Sequence, residues 1–263
     1  GANGSMTESK TGRDHGIDQI VGLDKIGNEF IFIEGNPDDG DDYDNAIIVA
    51  HEDDTEVFLN GSATSTRTLS AGQYMSIEGD QYSNDTGGGT LYVRTSKNVY
   101  AYQAVTNGNT ANTDMYFVPP LSCTSLESIE TIPAIRNAAG GDWNSTVIIV
   151  APATASVTIS DANNPTPKWT GNITTNGITI NEISNAATGN DKSFGRAVTG
   201  NVSYTTYKIT GLTGNVSIFS NYPDGSRAEL YGAYYNQSGS ATAGAYYSGF
   251  PSPPDNNLNA GAS

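Results

Sequence analysis

Residues 34–45 carry the side chains whose types and spacing most clearly suggest chemistry. Five aspartates fall within seven consecutive positions there, namely Asp38, Asp39, Asp41, Asp42 and Asp44. Eleven acidic residues and no Lys or Arg lie in residues 26–66, so no cation nearby in sequence offsets their repulsion. Calcium takes about six to eight oxygen ligands in a flexible geometry, which a glycine-containing loop can supply. The segment therefore predicts a bound Ca2+, held by these aspartates together with Glu34 and Asn45.

This acidic loop does not follow the EF-hand pattern, because the glutamate that closes that pattern is missing. The predicted site is therefore an irregular loop between two strands. An ion held there would stabilise the fold by binding only the folded form. Glu78, Asp80 and the glycine-rich residues 83–89 could add oxygen ligands or form a second site. The alternative is a solvated acidic loop that serves solubility.

Catalytic constellations are weak in this sequence. His51 precedes three acidic residues, but a Ser-His-Asp relay also needs a nucleophile, and no G-x-S-x-G elbow is present. We therefore interpret His51 as part of a solvated bend. Glu78, Asp80 or Glu229 could pair for glycoside hydrolysis, as carboxylates in any acidic protein could. The sequence predicts no catalytic residue and a protein that is not an enzyme, with a polysaccharide-active hydrolase as one alternative.

Aromatic residues are the candidates for ligand binding, because sugars and peptides are commonly held by exposed rings with polar groups around them. Trp169 stands between Lys168 and Thr170 in a polar stretch and is the strongest candidate for an exposed ring. Three tyrosines near the C-terminal end are further candidates: Tyr234, Tyr235 and Tyr246. For tyrosines that alternate along strands, packing in the sheet is the competing interpretation.

Composition narrows the class of protein. The 263 residues carry a formal net charge of −16, which disfavours binding to nucleic acid and to anionic membranes. Cys123 is the single cysteine and there are two histidines, which argues against disulfides and zinc sites. No apolar run approaches the roughly 20 residues that span a bilayer, so direct membrane insertion is not expected. A chain rich in Gly, Asn, Thr and Tyr is typical of exported bacterial surface proteins.

Short β-branched and aromatic runs bounded by turn residues predict an all-β protein with little helix. The predicted strands are 30–33, 46–50, 56–59, 74–77, 91–94, 99–102, 146–150, 156–159, 177–180, 207–210, 216–219 and 229–232. Residues 124–132 are the one segment expected to form a short helix.

Two pairs of similar segments indicate an internal duplication. Residues 45–60 resemble residues 145–160, and both segments read as a hairpin. Residues 92–102 resemble residues 207–219, where a strand, a short polar turn and a return strand are expected. The same order in both halves predicts two tandem related β-sandwiches. The alternative is a chance resemblance, because hairpins in general are built from similar residue types.

The predicted boundaries follow from this organisation. Residues 1–6 look like a vector-derived scar, so an export signal and an anchor of a longer protein are expected to have been removed. The first sandwich covers 7–118 and carries the acidic loop, 119–140 connect, and the second covers 141–247. A long insertion, 161–200, interrupts the second sandwich, and 248–263 form a linker to another module.

Three segments also resemble a known family. They are Val-Arg-Thr-Ser-Lys-Asn-Val-Tyr-Ala-Tyr-Gln at 93–103, Tyr-Phe-Val-Pro-Pro-Leu at 116–121 and Val-Ile-Ile-Val-Ala-Pro-Ala-Thr-Ala-Ser-Val at 147–157. In this order they resemble the N-terminal domain of the IgGFc-binding protein family, over roughly residues 20 to 235. Bacterial relatives look like modules of large secreted or surface-anchored adhesive proteins. The chain lacks the cysteines of the animal members and has Asn98 where the turn usually carries Pro, so antibody binding is not carried over.

The sequence thus predicts an extracellular binding module of a bacterial cell-surface adhesin, attached through its parent protein and stabilised by Ca2+. Its expected partner is a glycan or a protein on another surface. The alternative is a purely structural spacer. The oligomeric state is left open.

Overall fold

In a computed structural model of the chain, the described residues are 2–4, 14–16, 20–34, 45–83, 89–106, 113–121, 126–135, 144–161, 164–172, 196–210, 214–238 and 241–248. They confirm the all-β prediction, since strands are joined there by turns and two three-residue 3-10 helices, Leu23–Lys25 and Gly79–Gln81. In this part of the chain no helix has the length and apolar character that crossing a membrane requires.

Eighteen strands make up the described architecture. Their bounds are β1 (Ala2–Gly4), β2 (Asp14–Gly16), β3 (Gly27–Ile33), β4 (Asn45–Ala50), β5 (Thr55–Leu59), β6 (Arg67–Leu69), β7 (Tyr74–Ile77), β8 (Thr90–Thr106), β9 (Thr113–Phe117), β10 (Ser128–Ile132), β11 (Asn144–Pro152), β12 (Ser156–Asp161), β13 (Asn164–Asn172), β14 (Arg196–Val198), β15 (Asn201–Thr210), β16 (Val216–Asn221), β17 (Tyr231–Ser238) and β18 (Ala241–Ser248). The predicted strand 177–180 lies outside the described residues, and the one predicted at 229–232 begins only at Tyr231.

The first half is organised around β8, the 17-residue strand at the centre of a seven-stranded sheet. Around Val93, β8 pairs with β3 on one side and with β5 on the other. Around Tyr102 it pairs instead with β4 and β9. One long strand therefore serves two groups of partners.

The second half repeats this pattern with two strands in place of one. Strand β16 pairs with β10 and β12 in a four-stranded sheet, and β17 pairs with β11 and β18 in a five-stranded sheet. The pairs β12–β13 and β11–β15 likewise correspond to β5–β6 and β4–β7. A repeated pairing pattern is what duplication would produce. The duplication and its domain boundaries stay predictions.

The five-stranded sheet carries a hydrophobic core on each face. Along β11, Ile148 and Val150 join the core of the first half, whereas Val147 and Ile149 join the core of the second half. A strand buried on both faces reads as an uninterrupted apolar run, which is what residues 147–151 show. The first core therefore contains side chains from both halves, among them Tyr231 and Ala233.

Two turns bring the halves into close contact. The turn at Gly200, between β14 and β15, lies against the turn that follows β5. A Cβ on Gly200 would lie 2.3 Å from the carbonyl carbon of Asn60 and from the nitrogen of Gly61, so no side chain fits at this position. Beside this contact the hydroxyl of Tyr92 donates a 2.9 Å hydrogen bond to Glu29 and also meets the side chain of Asn201.

Three local predictions were wrong. The predicted hairpins at 45–60 and 145–160 are arches, because β4 and β5 pair with other strands and β11 and β12 lie in different sheets. The turn expected within residues 92–102 is part of the continuous strand β8. Strands β15 and β16, expected to return on each other, also lie in different sheets. Strand and turn patterns look alike in an arch and in a hairpin, since only tertiary pairing separates them.

The helix predicted at 124–132 was wrong where the structure describes it, because residues 128–132 form β10. Ile129 and Ile132 are both buried in the second core, at a spacing that suggests a helix. A register shift between them against β16 turns both side chains to the same side of the strand. The β-bulge therefore produces a spacing of buried residues that is typical of a helix.

Some predicted segments contain regular structure or lie partly outside the described residues. Within the predicted insertion, β13 pairs with β12, and β14 pairs with β15. Within the predicted scar, β1 pairs with β2. Of the predicted linker 248–263, only residue 248 is described, at the end of β18.

Candidate functional site

The base of the acidic loop is held by Gln103, a fully buried side chain on β8. Its amide Nε2 donates a 2.7 Å hydrogen bond to the carbonyl of Ile33, the residue before the loop. In backbone register Gln103 stands opposite Ala46, the second residue of β4. One residue therefore contacts both strands that carry the loop, through its side chain on β3 and through its backbone register with β4.

Glu34 leaves β3 with its carboxylate engaged by the protein. Its Oε2 accepts a 3.0 Å hydrogen bond from the backbone N–H of Gly89, and its own N–H donates to the Gly89 carbonyl over 2.8 Å. The positive charge facing it comes from the other half of the chain. Burial lowers the pKa of the Arg196 guanidinium, while the charge of Glu34 acts in the opposite direction. The sequence around the loop gives no sign of this arginine.

The predicted calcium ligands are only partly described. Glu34 is partly exposed, and Asn45 is fully buried at the start of β4. Asp38, Asp39, Asp41, Asp42 and Asp44 lie outside the described residues. Within the described ranges no group of three or more His, Cys, Asp or Glu residues is placed to hold a metal ion. The calcium site stays a prediction.

The predicted ligand-binding aromatics do not form a described cluster. Trp169 stands in β13, in register with Ile159 of β12, rather than in a loop. Tyr234 is partly buried and packs against the second core. In backbone register Tyr234 is opposite Tyr246, and Tyr235 is opposite Thr146. Their role in binding stays a prediction, although the packing of Tyr234 favours the structural interpretation.

A second carboxylate, Glu229, is surrounded by tyrosines. The hydroxyl of Tyr222 donates to its Oε2 over 2.8 Å, and the hydroxyl of Tyr204 reaches its Oε1 over a longer 3.4 Å. All three side chains are partly exposed. Tyr204 also packs against the first core, so the inner wall of this tyrosine cluster is fixed by the fold.

The electrostatics of the tyrosine cluster keep its phenols protonated. Burial, the hydrogen bond to Glu229 and the charge of that carboxylate raise the pKa of Tyr222 to about 12. Burial raises the pKa of Tyr204, and the neighbouring Tyr231 and Glu229 raise it further. Both phenols are therefore protonated at neutral pH, each beside the carboxylate of Glu229.

The loop that carries Tyr222 is folded on itself. Gly225, with φ of +85°, donates its N–H to the Tyr222 carbonyl over 2.9 Å, and Tyr222 donates its N–H to the Ser226 carbonyl over 2.8 Å. Asp224 accepts both the N–H and the hydroxyl of Ser226, at 2.9 and 2.6 Å, which lowers its pKa. The Pro-Asp-Gly run at 223–225 is a turn signature that could have located this loop from sequence.

The other catalytic candidates are His51, Glu78 and Asp80. His51 is exposed in the bend between β4 and β5, which confirms the interpretation as a solvated bend. There Asp53 accepts the backbone N–H of Ala71 over 2.9 Å. Glu78 precedes the 3-10 helix at Gly79–Gln81, and the side chain of Asp80 is not described.

The sequence profile of a family described as "IgGFc binding protein" matches residues 1–221. No match was found among curated proteins. Solved structures give weak similarities. A lectin from Pleurotus ostreatus in complex with GalNAc is 11% identical, with 86% of this chain and 76% of that chain covered and a TM-score of 0.24. An alpha-L-rhamnosidase from Streptomyces avermitilis is 12% identical over 86% of this chain but 26% of that chain, also with a TM-score of 0.24. Neither similarity carries an argument about a ligand.

Proposed function

The chain belongs to the IgGFc-binding protein family, and from this premise we propose that it is an extracellular binding module of a bacterial cell-surface adhesin. The family is of a binding type and is typically extracellular. We further propose that the module reaches the cell surface through a longer parent protein and recognises a glycan or a protein on another surface. Family membership over most of the chain is the observation that carries this proposal.

The base of the acidic loop supports the proposed calcium dependence. Gln103 and Glu34 hold the strands on each side of the loop, so an ion bound by the five aspartates would close a loop whose ends are already positioned. Binding of an ion to the folded form alone would then stabilise the module. Fixed loops on a rigid β scaffold are common sites of recognition.

The contact between Gly61 and Gly200 supports a second function, that of a spacer. Closely packed turns and a core shared by both halves favour a stiff unit that could project other domains. A hydrolase is less well supported. The carboxylate of Glu229 accepts two tyrosine hydroxyls, and the high pKa of Tyr222 leaves that phenol protonated.

Binding of the chain to glycan and protein arrays, with and without EGTA, separates these functions. An adhesive module should bind a limited set of probes, and binding should weaken when EGTA removes calcium. A chain that binds no probe under either condition would contradict the adhesive function and favour the spacer. If the parent chain hydrolyses a polysaccharide and Glu229→Gln loses this activity, the result would instead support the hydrolase function.

A further inference from the structure

In the tyrosine cluster of Tyr204, Tyr222 and Glu229, both hydroxyl donors are already hydrogen-bonded, whereas acceptor sites remain. The hydroxyl protons of Tyr204 and Tyr222 both point to the carboxylate of Glu229. A carboxylate offers about four lone-pair sites, and each phenol oxygen keeps lone pairs of its own after donating its proton. What remains available to a ligand is therefore a set of acceptor sites on three oxygen-bearing side chains.

The charge of Glu229 is the second feature of the tyrosine cluster. Within the described part of the chain, Glu229 forms no ion pair with a Lys or Arg side chain. Arg227, on the same loop, places its guanidinium over the ring of Phe219, 5.2 Å from the ring centre. A partly buried carboxylate flanked by phenols and without a cation is stabilised further by a donor that carries positive charge.

We propose that Tyr204, Tyr222 and Glu229 form a binding site for an organic cation, the ammonium or guanidinium of a lysine or arginine side chain on a protein partner. This inference rests on the proposed binding function and names the chemistry that one surface of the module takes. Ammonium and guanidinium groups donate hydrogen bonds and accept none, which matches a site with acceptors only. A neutral sugar hydroxyl both donates and accepts, so it uses such a site less well.

Two further observations favour a basic protein as the partner. The chain carries a net charge of −16, which attracts basic proteins and speeds their association. The loop that bears Tyr222 is closed by its own backbone hydrogen bonds, so little conformational freedom is lost when the site is occupied. Because that loop leaves the site partly exposed, a long side chain can enter from solvent.

The experiment is a nuclear magnetic resonance titration of the 15N-labelled chain with four separate probes. These are Nα-acetyl-lysine methylamide, Nα-acetyl-arginine methylamide, glucosamine and N-acetylglucosamine. The proposal expects at least one of the amino-acid amides to shift the amide signals of residues 219–231 in a saturable way, more strongly at low than at high salt. N-acetylglucosamine should leave these signals in place. Glucosamine tests whether an amino sugar is preferred as the source of the cation.

Two variants and one control variant test whether the cation binds at the tyrosine cluster. Glu229→Gln keeps the shape of the side chain and removes its charge, so affinity for the amino-acid amide should fall at least tenfold. Tyr222→Phe keeps the ring and should weaken binding several-fold, which provides a test if Glu229→Gln does not fold. Glu52→Gln makes the same charge change at an exposed site in the other half and should bind like the parent chain.

Several results would overturn the proposal. They are the absence of saturable shifts with both amides, equal binding by N-acetylglucosamine, tighter binding by glucosamine than by either amide, and unchanged affinity in both variants. A chain that binds array probes but none of these cations would remove the assigned site and leave the adhesive function standing. A chain that binds the amides but no array probe would support the assigned site and contradict the adhesive function.

Discussion

Glu34 and Glu229 show two ways in which this chain accommodates a partly exposed carboxylate. Glu34 is held by a backbone N–H from Gly89 and faces Arg196, so its partners are far away in the sequence. Glu229 is held by the hydroxyls of Tyr222 and Tyr204, which stand 7 and 25 positions away. The partners of Glu34 come from both halves of the chain, whereas the hydrogen-bond partners of Glu229 come from the second half alone.

This difference separates stability from recognition. The charge of Arg196, in the other half of the chain, interacts with that of Glu34, which suits a region whose proposed task is to hold a loop. Tyrosine hydroxyls stabilise the charge of Glu229 without cancelling it, which leaves that charge available to a ligand. The four predictions below test this comparison, beginning with the largest effect.

Removal of calcium should cause the largest loss of stability, and this loss should arise at the acidic loop that follows Glu34. An ion present at hundreds to a thousand times its dissociation constant contributes about 3 to 4 kcal/mol, so EGTA should lower the melting temperature by several degrees. Calorimetry with EGTA, and again after excess calcium is restored, checks this. Asp39→Asn combined with Asp41→Asn should abolish the response. An identical melting curve in EGTA would leave the acidic loop without its proposed ion.

Gly200→Ala should weaken the joint between the halves by about 3 kcal/mol. Its Cβ would clash with Asn60 and Gly61, and alanine is strained at φ of +85°. Gly225→Ala is the matched control in the tyrosine loop, because it has the same φ and nothing within 4 Å of the added Cβ. This control should cost only about 1 kcal/mol. Urea unfolding measures both, and equal losses would mean that the close contact contributes nothing.

Arg196→Met tests whether the second half neutralises Glu34. The substitution keeps an apolar stem but removes the charge, so we expect a loss of about 1 kcal/mol in the free energy of unfolding. In a double-mutant cycle, Glu34→Gln should recover part of this loss, because the two side chains act on each other. The same glutamine substitution at Glu229 should show no coupling to Arg196. Additive effects of Arg196→Met and Glu34→Gln would contradict the pairing.

Alkaline pH should have the smallest effect and should report on the contact between the halves and on the tyrosine cluster. Burial, together with the hydrogen bond to Glu29, raises the pKa of Tyr92 to about 12, and burial, together with the hydrogen bond to Glu229, raises that of Tyr222 to about 12. The unfolded chain loses these protons near its ordinary value of about 10, so their contribution is complete below that pH. It is then lost as pH rises towards 12. Urea midpoints at pH 9 and 11 should differ less in Tyr92→Phe and in Tyr222→Phe than in the parent chain.

Particular residues show how far the sequence could be read. Apolar alternation and turn residues predicted most of the described strands, because burial on a sheet imposes a period of two. The same patterns could not tell an arch from a hairpin at residues 45–60. Ile129 and Ile132 looked helical because a bulge brings both to one face. The Tyr222 loop carries a visible turn signature, but no pattern indicated that its hydroxyl reaches Glu229.

The sequence alone determined that this chain is an all-β, strongly acidic member of a binding family, because composition, periodicity and family motifs are local properties of the chain. The tertiary structure decided which strands pair, which sheet is buried on both faces, and which distant groups meet each carboxylate. Hydrogen-bond partners and counter-charges depend on proximity in space. Arg196 therefore comes to face Glu34 through the fold, although the sequence around the acidic loop contains no cation.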